Sequence, residues 1–260
     1  MFWRWIGYEG KMVMRGFLVV VVLAVGAAVV LWHRPGLLPS AIQRDLGQKR
    51  DISEIRARQI PELTRAFAAQ GLAFGNPVYL RIFKEEAELE LWVQTGETFQ
   101  LFRTYPICNF SGDLGPKLAE GDRQSPEGFY RVGRSALNPN SRYHLSFNLG
   151  FPNSFDRAND RTGSYLMVHG DCLSVGCYAM TDPAIEEIYV ALEAALRKGQ
   201  SLVDVHAFPF RMTAHRLAQA KGTKWHGFWT QLQPAYNLFE DQRRVPGITV
   251  TAGTYRVAMN

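Results

Sequence analysis

Met167-Val168-His169-Gly170-Asp171-Cys172-Leu173-Ser174-Val175-Gly176-Cys177-Tyr178-Ala179-Met180 is the most informative stretch of this 260-residue chain. Tyr165 to Val168 reads as a strand that delivers His169, and the small-residue turn Ser174-Val175-Gly176 delivers Cys177. A helix follows, with Asp182 as expected cap, Pro183 at the first helical position, and Glu186 and Glu187 near the positive end of the dipole. Ile185, Ile188, Tyr189, Leu192 and Leu196 share one of its faces, and Gly199 ends it. Cysteine acyl chemistry needs a thiolate, a base and donors for an oxyanion. A histidine, a cysteine and a tight turn rich in backbone N–H groups meet these needs within nine residues. Gly176, lacking Cβ, lets an acyl group approach the backbone closely.

Upstream, apolar residues alternate at Val78, Leu80, Ile82 and at Leu89, Leu91, Val93, the period of strands. Phe99 to Ile107, Gly128 to Val132, Tyr143 to Phe147 and Leu202 to Phe208 have the same character. The turn clusters Ser111-Gly112-Asp113, Ser125-Pro126-Glu127-Gly128 and Asn138-Pro139-Asn140 separate them. Many strands with few long helices predict a mainly β domain. Pro61 to Gln70 reads as a short helix, Met212 to Ala220 as another, with a third beginning near Trp225. Val245 to Ala258 reads as a strand pair or an extended segment that covers the cleft as a lid or closes a sheet edge.

The composition, 47% hydrophobic and 20% charged, suits one folded domain with a small appendage. The net charge of +5 is partly concentrated at Arg4, Lys11 and Arg15. The remainder is mildly basic, which fits a wall polymer and not nucleic acid, since no basic stripe is interleaved with aromatics. The apolar run Gly16 to Trp32 predicts a transmembrane helix that leaves the rest outside the cytoplasm; a cleaved signal peptide is the rival. The expected organisation is therefore a signal anchor or signal peptide over 1–33, a juxtamembrane linker and short helix over 34–74, a catalytic domain over 75–210, and a helical and extended segment over 211–260. Three cysteines in an exported chain leave at least one thiol unpaired. Cys172 reads either as a disulfide partner for Cys177 or as a small buried hydrophobe, and Cys108 as a core residue of its strand.

The central stretch resembles the active-site motif of YkuD-type L,D-transpeptidases, and most closely the YafK-like branch with its Ser-Val-Gly-Cys-Tyr-Ala-Met. The resemblance includes Gly-Asn-Pro-Val-Tyr-Leu-Arg-Ile-Phe-Lys (75–84), Gly-Asp-Arg-Gln-Ser-Pro-Glu-Gly-Phe-Tyr (121–130) and Tyr-His-Leu-Ser-Phe-Asn (143–148). It implies the mixed β-sheet sandwich of the L,D-transpeptidase catalytic domain, with a few peripheral helices. It also implies Cys177 as nucleophile, His169 as base, and the Gly170 carbonyl as the group that orients His169. The backbone N–H groups of Val175, Gly176 and Cys177 would form the oxyanion hole. The family's usual histidine before Gly-Cys is Val175 here, which costs little if that position contributes backbone.

His144, Arg157, Ser174 and Tyr178 are further candidates for the substrate cleft; Asp156 and Arg157 either pair with each other or meet substrate carboxylates. His206 and His215 are assigned to structure. The implied substrates are peptidoglycan stem peptides in the cell envelope, with a second stem, a D-amino acid or a wall-linked lipoprotein as acceptor, or water in a hydrolytic alternative. A zinc peptidase using His169, Asp171 and Cys172 fits poorly, because ligands adjacent on one strand do not converge on one metal. A silent wall-binding module is the remaining alternative. No metal is expected, and no phosphate loop points to a nucleotide or other cofactor.

Overall fold

The computed structural model describes residues 51–258. A helix, α1 (Ile52–Ala68), opens them, its N-terminus capped by the Asp51 carboxylate accepting from the Ser53 N–H. Ile55, Gln59, Leu63 and Phe67 recur every four residues and form its buried face. The helix thus starts at Ile52, ahead of the expected Pro61. That proline sits inside it, where the capped first turns and the buried face outweigh the one backbone bond lost.

Three antiparallel strands follow, β1 (Val78–Phe83), β2 (Glu88–Thr95) and β3 (Thr98–Pro106). The short β4 (Asn109–Phe110) and then β5 (Gly128–Val132) come next. β6 (Leu137–Asn138), β7 (Ser146–Asn148), the short helix α2 (Ser154–Ala158), β8 (Met167–His169) and β9 (Tyr178–Ala179) complete the middle of the chain. Helix α3 (Asp182–Arg197) leads into β10 (Val203–Phe208). The end of the chain is α4 (Ala214–Gln219), α5 (His226–Gln242) and a hairpin of β11 (Gly247–Thr251) and β12 (Thr254–Ala258).

These strands make two five-stranded mixed sheets, ordered β3-β2-β1-β10-β5 and β4-β9-β8-β7-β6. β1–β10 and β8–β9 are the parallel pairs. Both sheets and α3 share one apolar core: Val78, Leu80 and Ile82 from the first sheet meet Phe147, Val168 and Tyr178 from the second and Ile185, Ile188 and Leu192 from α3. The alternate residues of β1, Tyr79 and Phe83, point the other way into clusters built with Phe239, and with Trp229 and Tyr236, of α5. That is why β1 is buried along its whole length. The C-terminal region covers a face of the first sheet, and Tyr255 of β12 stacks on Phe155 of α2.

Two expectations need correction. The fold class was expected to include a transmembrane helix, but among the described residues no helix is long and apolar enough to cross a membrane. The longest, α1 and α5, are amphipathic, with Glu54, Arg58, Glu62 and Arg65 exposed on α1 and Thr230, Asn237, Asp241 and Gln242 on α5. The apolar run 16–32 lies outside the described residues. The cap of α3 is Thr181, whose hydroxyl accepts from the Ala184 N–H at 3.4 Å, so Asp182 is already helical. Its carboxylate is freed for another task, receiving the Asp171 N–H at 2.9 Å.

Candidate active site

Parallel pairing of β8 with β9 places Val168 beside Tyr178 and His169 beside Ala179. Strand alternation then puts Cys177 on the face shared by Ala179 and His169. His169 is 2% exposed. Its Nδ1 lies 2.6 Å from the Gly170 carbonyl oxygen. A carbonyl only accepts, so Nδ1 carries the proton and Nε2 is left with a lone pair. Burial pushes the imidazole below its ordinary range, against the opposing pull of the Gly170 carbonyl and the Asp171 charge. The exposed Tyr143 ring lies over the imidazole at 4.8 Å between centroids.

Gly170 and Gly176 are glycines for different reasons. A Cβ on Gly170 would stand 2.6 Å from Asp182 Oδ1 and 2.9 Å from His144 Cβ, so the residue is required for close approach to the start of α3. Gly176 has room around it but a φ of +112°, a conformation that side chains oppose. Between the two, Asp171 and Cys172 also take positive φ, 69° and 51°. Each costs of the order of 1–3 kcal/mol and persists only where its surroundings impose it. One such constraint is a disulfide from Cys172 to Cys108, just ahead of β4. Cys172 therefore pairs neither with Cys177 nor as a free core thiol, and Cys108 is exposed, not a core residue. Sequence spacing misses this pairing because the partners are brought together by the sheet order β4-β9-β8.

Cys177 is the free cysteine of the three. Its sulfur accepts the Met167 N–H at 3.3 Å and faces the Tyr165 carbonyl at 3.7 Å. Burial pushes the thiol up, partly countered by the Met167 N–H and the charge of Lys117. The two shifts have one cause: burial disfavours the charged imidazolium of His169 and the charged thiolate of Cys177 alike. The Cys177 carbonyl accepts from Ser125 Oγ at 2.8 Å and Ser174 Oγ at 2.7 Å. Ser174 Oγ is also 2.7 Å from Ser111 Oγ, which accepts the Gly176 N–H at 2.8 Å. Three hydroxyls from two loops, Ser111 and Ser125 from the β4–β5 connection and Ser174 from the turn itself, thus fix the turn that carries the thiol. Cys177 opens onto a cleft of about 350 Å³ lined also by Lys117, Glu120, Arg123, Tyr165 and Val175.

The remaining sequence candidates fall elsewhere. Val175 is 78% exposed at the cleft edge. Tyr178 is fully buried and donates its hydroxyl to the Pro126 carbonyl at 2.7 Å. His144 is buried behind Gly170, with Nε2 2.7 Å from Glu186 on α3. Arg157 donates to the Pro152 carbonyl and lines a different cavity, with Phe129, Arg131 and Tyr255. Asp156 pairs not with Arg157 but with Arg161 at 3.0 Å. His206 is buried in β10 and His215 is exposed on α4. Ser111, Ser125, Lys117, Arg123 and Tyr143 were not singled out. Ser111 and Ser125 lie in turn clusters, which register as loop punctuation and carry no sign of what they face. Among the described residues no group of three or more His, Cys, Asp or Glu could hold a metal ion, and Cys172, being oxidised, offers no thiolate.

The model of YkuD, the L,D-transpeptidase catalytic domain, matches residues 77–229. YafK of Escherichia coli K12, named as a candidate L,D-transpeptidase, is 50% identical over 184 residues, which are 71% of this chain and 75% of that protein. Among solved structures, the helical cell shape determining protein Pgp2 of Campylobacter jejuni (K307A mutant) aligns at 18% identity with a TM-score of 0.43, covering 67% of this chain and 71% of that one. Bd1075 of Bdellovibrio bacteriovorus aligns at 18% with a TM-score of 0.39, covering 68% and 77%. Both structural likenesses are too loose to bear on the chemistry. The domain match takes in the whole stretch from β1 through the His169 and Cys177 loops to α5, and the chain belongs to the YkuD family of L,D-transpeptidase catalytic domains, enzymes of the cell envelope that act on peptidoglycan.

Proposed function

We propose that this chain is a cysteine-dependent L,D-transpeptidase that acts on peptidoglycan stem peptides through an acyl-enzyme on Cys177. The observation that carries the reading is the 2.6 Å contact of His169 Nδ1 with the Gly170 carbonyl, which fixes the tautomer and leaves Nε2 as a base on the face that Cys177 shares. The thiol rotates from the Tyr165 carbonyl towards His169 and gives up its proton as the sulfur attacks the carbonyl of the third stem residue. The resulting oxyanion is met by backbone N–H groups of the Val175-Gly176-Cys177 turn. That of Gly176 becomes available when Ser111 Oγ turns aside. Protonated His169 then hands its proton to the departing amine of the terminal D-alanine. An acceptor amine, from a second stem, a D-amino acid or a wall-linked lipoprotein, attacks the thioester and restores the thiol. Water in place of that amine gives the hydrolytic outcome from the same intermediate. The chemistry is assigned to residues 75–210, with 211–260 as their structural cover.

The test is incubation of the protein, and of Cys177→Ala, with tetrapeptide muropeptides plus a free D-amino acid, products being read by mass spectrometry. Exchange of the terminal D-alanine by wild type alone supports transpeptidation. Stem shortening without uptake of the acceptor assigns the hydrolytic outcome. Equal products from both proteins would sink the Cys177 acyl-enzyme.

A further inference from the structure

The cleft on which Cys177 opens is lined by three charged side chains, Lys117, Glu120 and Arg123. Two of them are already engaged. Lys117 is buried, and its ammonium sits 2.5 Å from Asp122 Oδ1 and 2.8 Å from the Ala119 carbonyl. Glu120 accepts from Ser164 Oγ at 3.3 Å. Arg123 has neither an ion pair nor a hydrogen bond among the described residues, and its side chain stands exposed at the cleft.

The backbone beneath this arginine is unusually well fixed for a loop. Arg123 has φ of 53°, a strained value for a residue with a side chain. Its two neighbours hold it there. The Asp122 carboxylate gathers the N–H groups of Leu118 at 2.8 Å, Ala119 at 3.0 Å and Gln124 at 3.0 Å, besides Lys117. The Gln124 side chain accepts from the Asp113 N–H and donates to the Asp113 and Gly115 carbonyls. Next comes Ser125, whose hydroxyl bonds the Cys177 carbonyl at 2.8 Å. The strained position is thus coupled through two residues to the nucleophile's own backbone. The backbone that carries this guanidinium is thus set in place before a ligand arrives, and the planar fork matches a carboxylate in two parallel hydrogen bonds.

We propose that Arg123 is a carboxylate-binding residue of the Cys177 cleft and selects donor substrates that carry a carboxylate near the bond attacked. This rests on the proposed stem-peptide function for its substrate, but the anion site itself does not. Two groups of a stem peptide offer that chemistry: the terminal carboxylate of the residue that leaves, and a free side-chain carboxylate on the residue that is acylated.

The anion site is tested first without any peptide. Cys177 is the free thiol, so alkylation of the full chain reports on this site. Thiolate displaces iodide from iodoacetate or from iodoacetamide, forming a thioether in either case, and the two reagents differ in charge. With Arg123→Gln the iodoacetate rate should fall about ten-fold while the iodoacetamide rate holds, with Arg123→Lys in between. An unchanged ratio of the two rates overturns the proposal. Stem peptides then name the source. If Arg123→Gln raises KM for a tetrapeptide ending in a carboxylate but not for its terminal amide, the leaving residue is read. If the effect survives the terminal amide and vanishes on amidation of the third residue's side chain, the acylated residue is read. A variant indistinguishable from wild type on all three peptides removes the substrate role. If wild type turns over none of them, the stem-peptide function has failed, and the alkylation ratio still decides the anion site.

Discussion

The two five-stranded sheets share a core but hold their shape by different means. In the first, β1, β2 and β3 run six, eight and nine residues, and long ladders set the register. Its buried charges are paired: Arg81 with Glu90 at 2.7 Å and Glu240 at 2.6 Å, and Lys84, which directly follows β1, with Glu127 at 3.2 Å. In the second, no strand exceeds three residues. So few ladder bonds cannot fix a loop such as 170–176, and side chains supply what is missing: the Cys108–Cys172 disulfide, the Ser111, Ser125 and Ser174 hydroxyls, and the Asp182 carboxylate. The proposed chemistry sits on the second sheet. Its geometry is held by a few cross-links between loops, while the first sheet is held by long ladders and buried ion pairs.

That contrast can be broken from the stability side. Lys84→Met leaves Glu127 buried without its cation; Glu127 also receives the Gly115 and Trp229 N–H groups at 2.7 and 2.8 Å. Loss of one partner of a buried pair costs about 3–5 kcal/mol, and the urea midpoint should drop accordingly while activity per folded molecule holds. A large loss of activity with an unmoved midpoint would refute the assignment of that pair to stability.

Removing the strap on the second sheet should do less to stability and more to the site. The double change Cys108→Ser and Cys172→Ser opens a loop of sequence separation 64, with about 2–4 kcal/mol of stabilisation lost. Loss of His169-dependent activity ahead of global unfolding, followed along a urea titration, would show that the loop opens on its own; coincident curves would show that it does not.

Acid separates the sheets further. His206 of β10 is fully buried, and burial together with the Arg81 and Arg131 charges depresses it from 6.5 to about 3. The folded protein keeps it neutral while the unfolded chain takes up a proton, so stability is full above pH 6.5 and falls as pH drops towards 3. Between pH 6.5 and 5 the loss should reach roughly 2 kcal/mol, and His206→Phe should flatten that slope even if it lowers stability at pH 7. His169 is pushed down too, so the acid limb of the rate profile should lie below the ordinary histidine range. A limb at or above 6.5 would contradict a buried neutral base.

The smallest effect on stability should come from Ser111→Ala. It removes the acceptor of the Gly176 N–H and a partner of Ser174, at a cost of about 1 kcal/mol. The expected result is a nearly unmoved midpoint with a lower kcat. Unchanged kcat would mean that the remaining hydroxyls suffice to hold the turn.

The legible parts of this protein are those where local chemistry repeats or is concentrated. Period-two alternation marked β1 and β2 because each alternate residue is buried on one side, and Val245 to Ala258 read as a strand pair or an extended segment, of which the structure has the pair. His169 and Cys177 stood out because a histidine, a small-residue turn and a cysteine fall within nine residues, and Gly170 entered through the family resemblance. Tyr143 to Phe147 was read as a strand but yields only Ser146–Asn148 at its end, because His144 has φ of 66° and turns its side chain onto α3. Tyr178 and Arg157 were plausible cleft residues by type, yet one is locked in the core by Pro126 and the other faces a separate cavity.

By itself the sequence pointed to Cys177 and His169 as the candidate nucleophile and base, and it determined the helix that follows them and the alternation of the first sheet, since each depends on neighbours within a few residues. The tertiary structure alone decided the disulfide partner, the three serines that hold the nucleophile's turn, the helical cover on β1 and the unpaired arginine in the cleft. Those depend on which loops the sheet order brings together, and contacts between distant segments leave no periodic trace in a single chain.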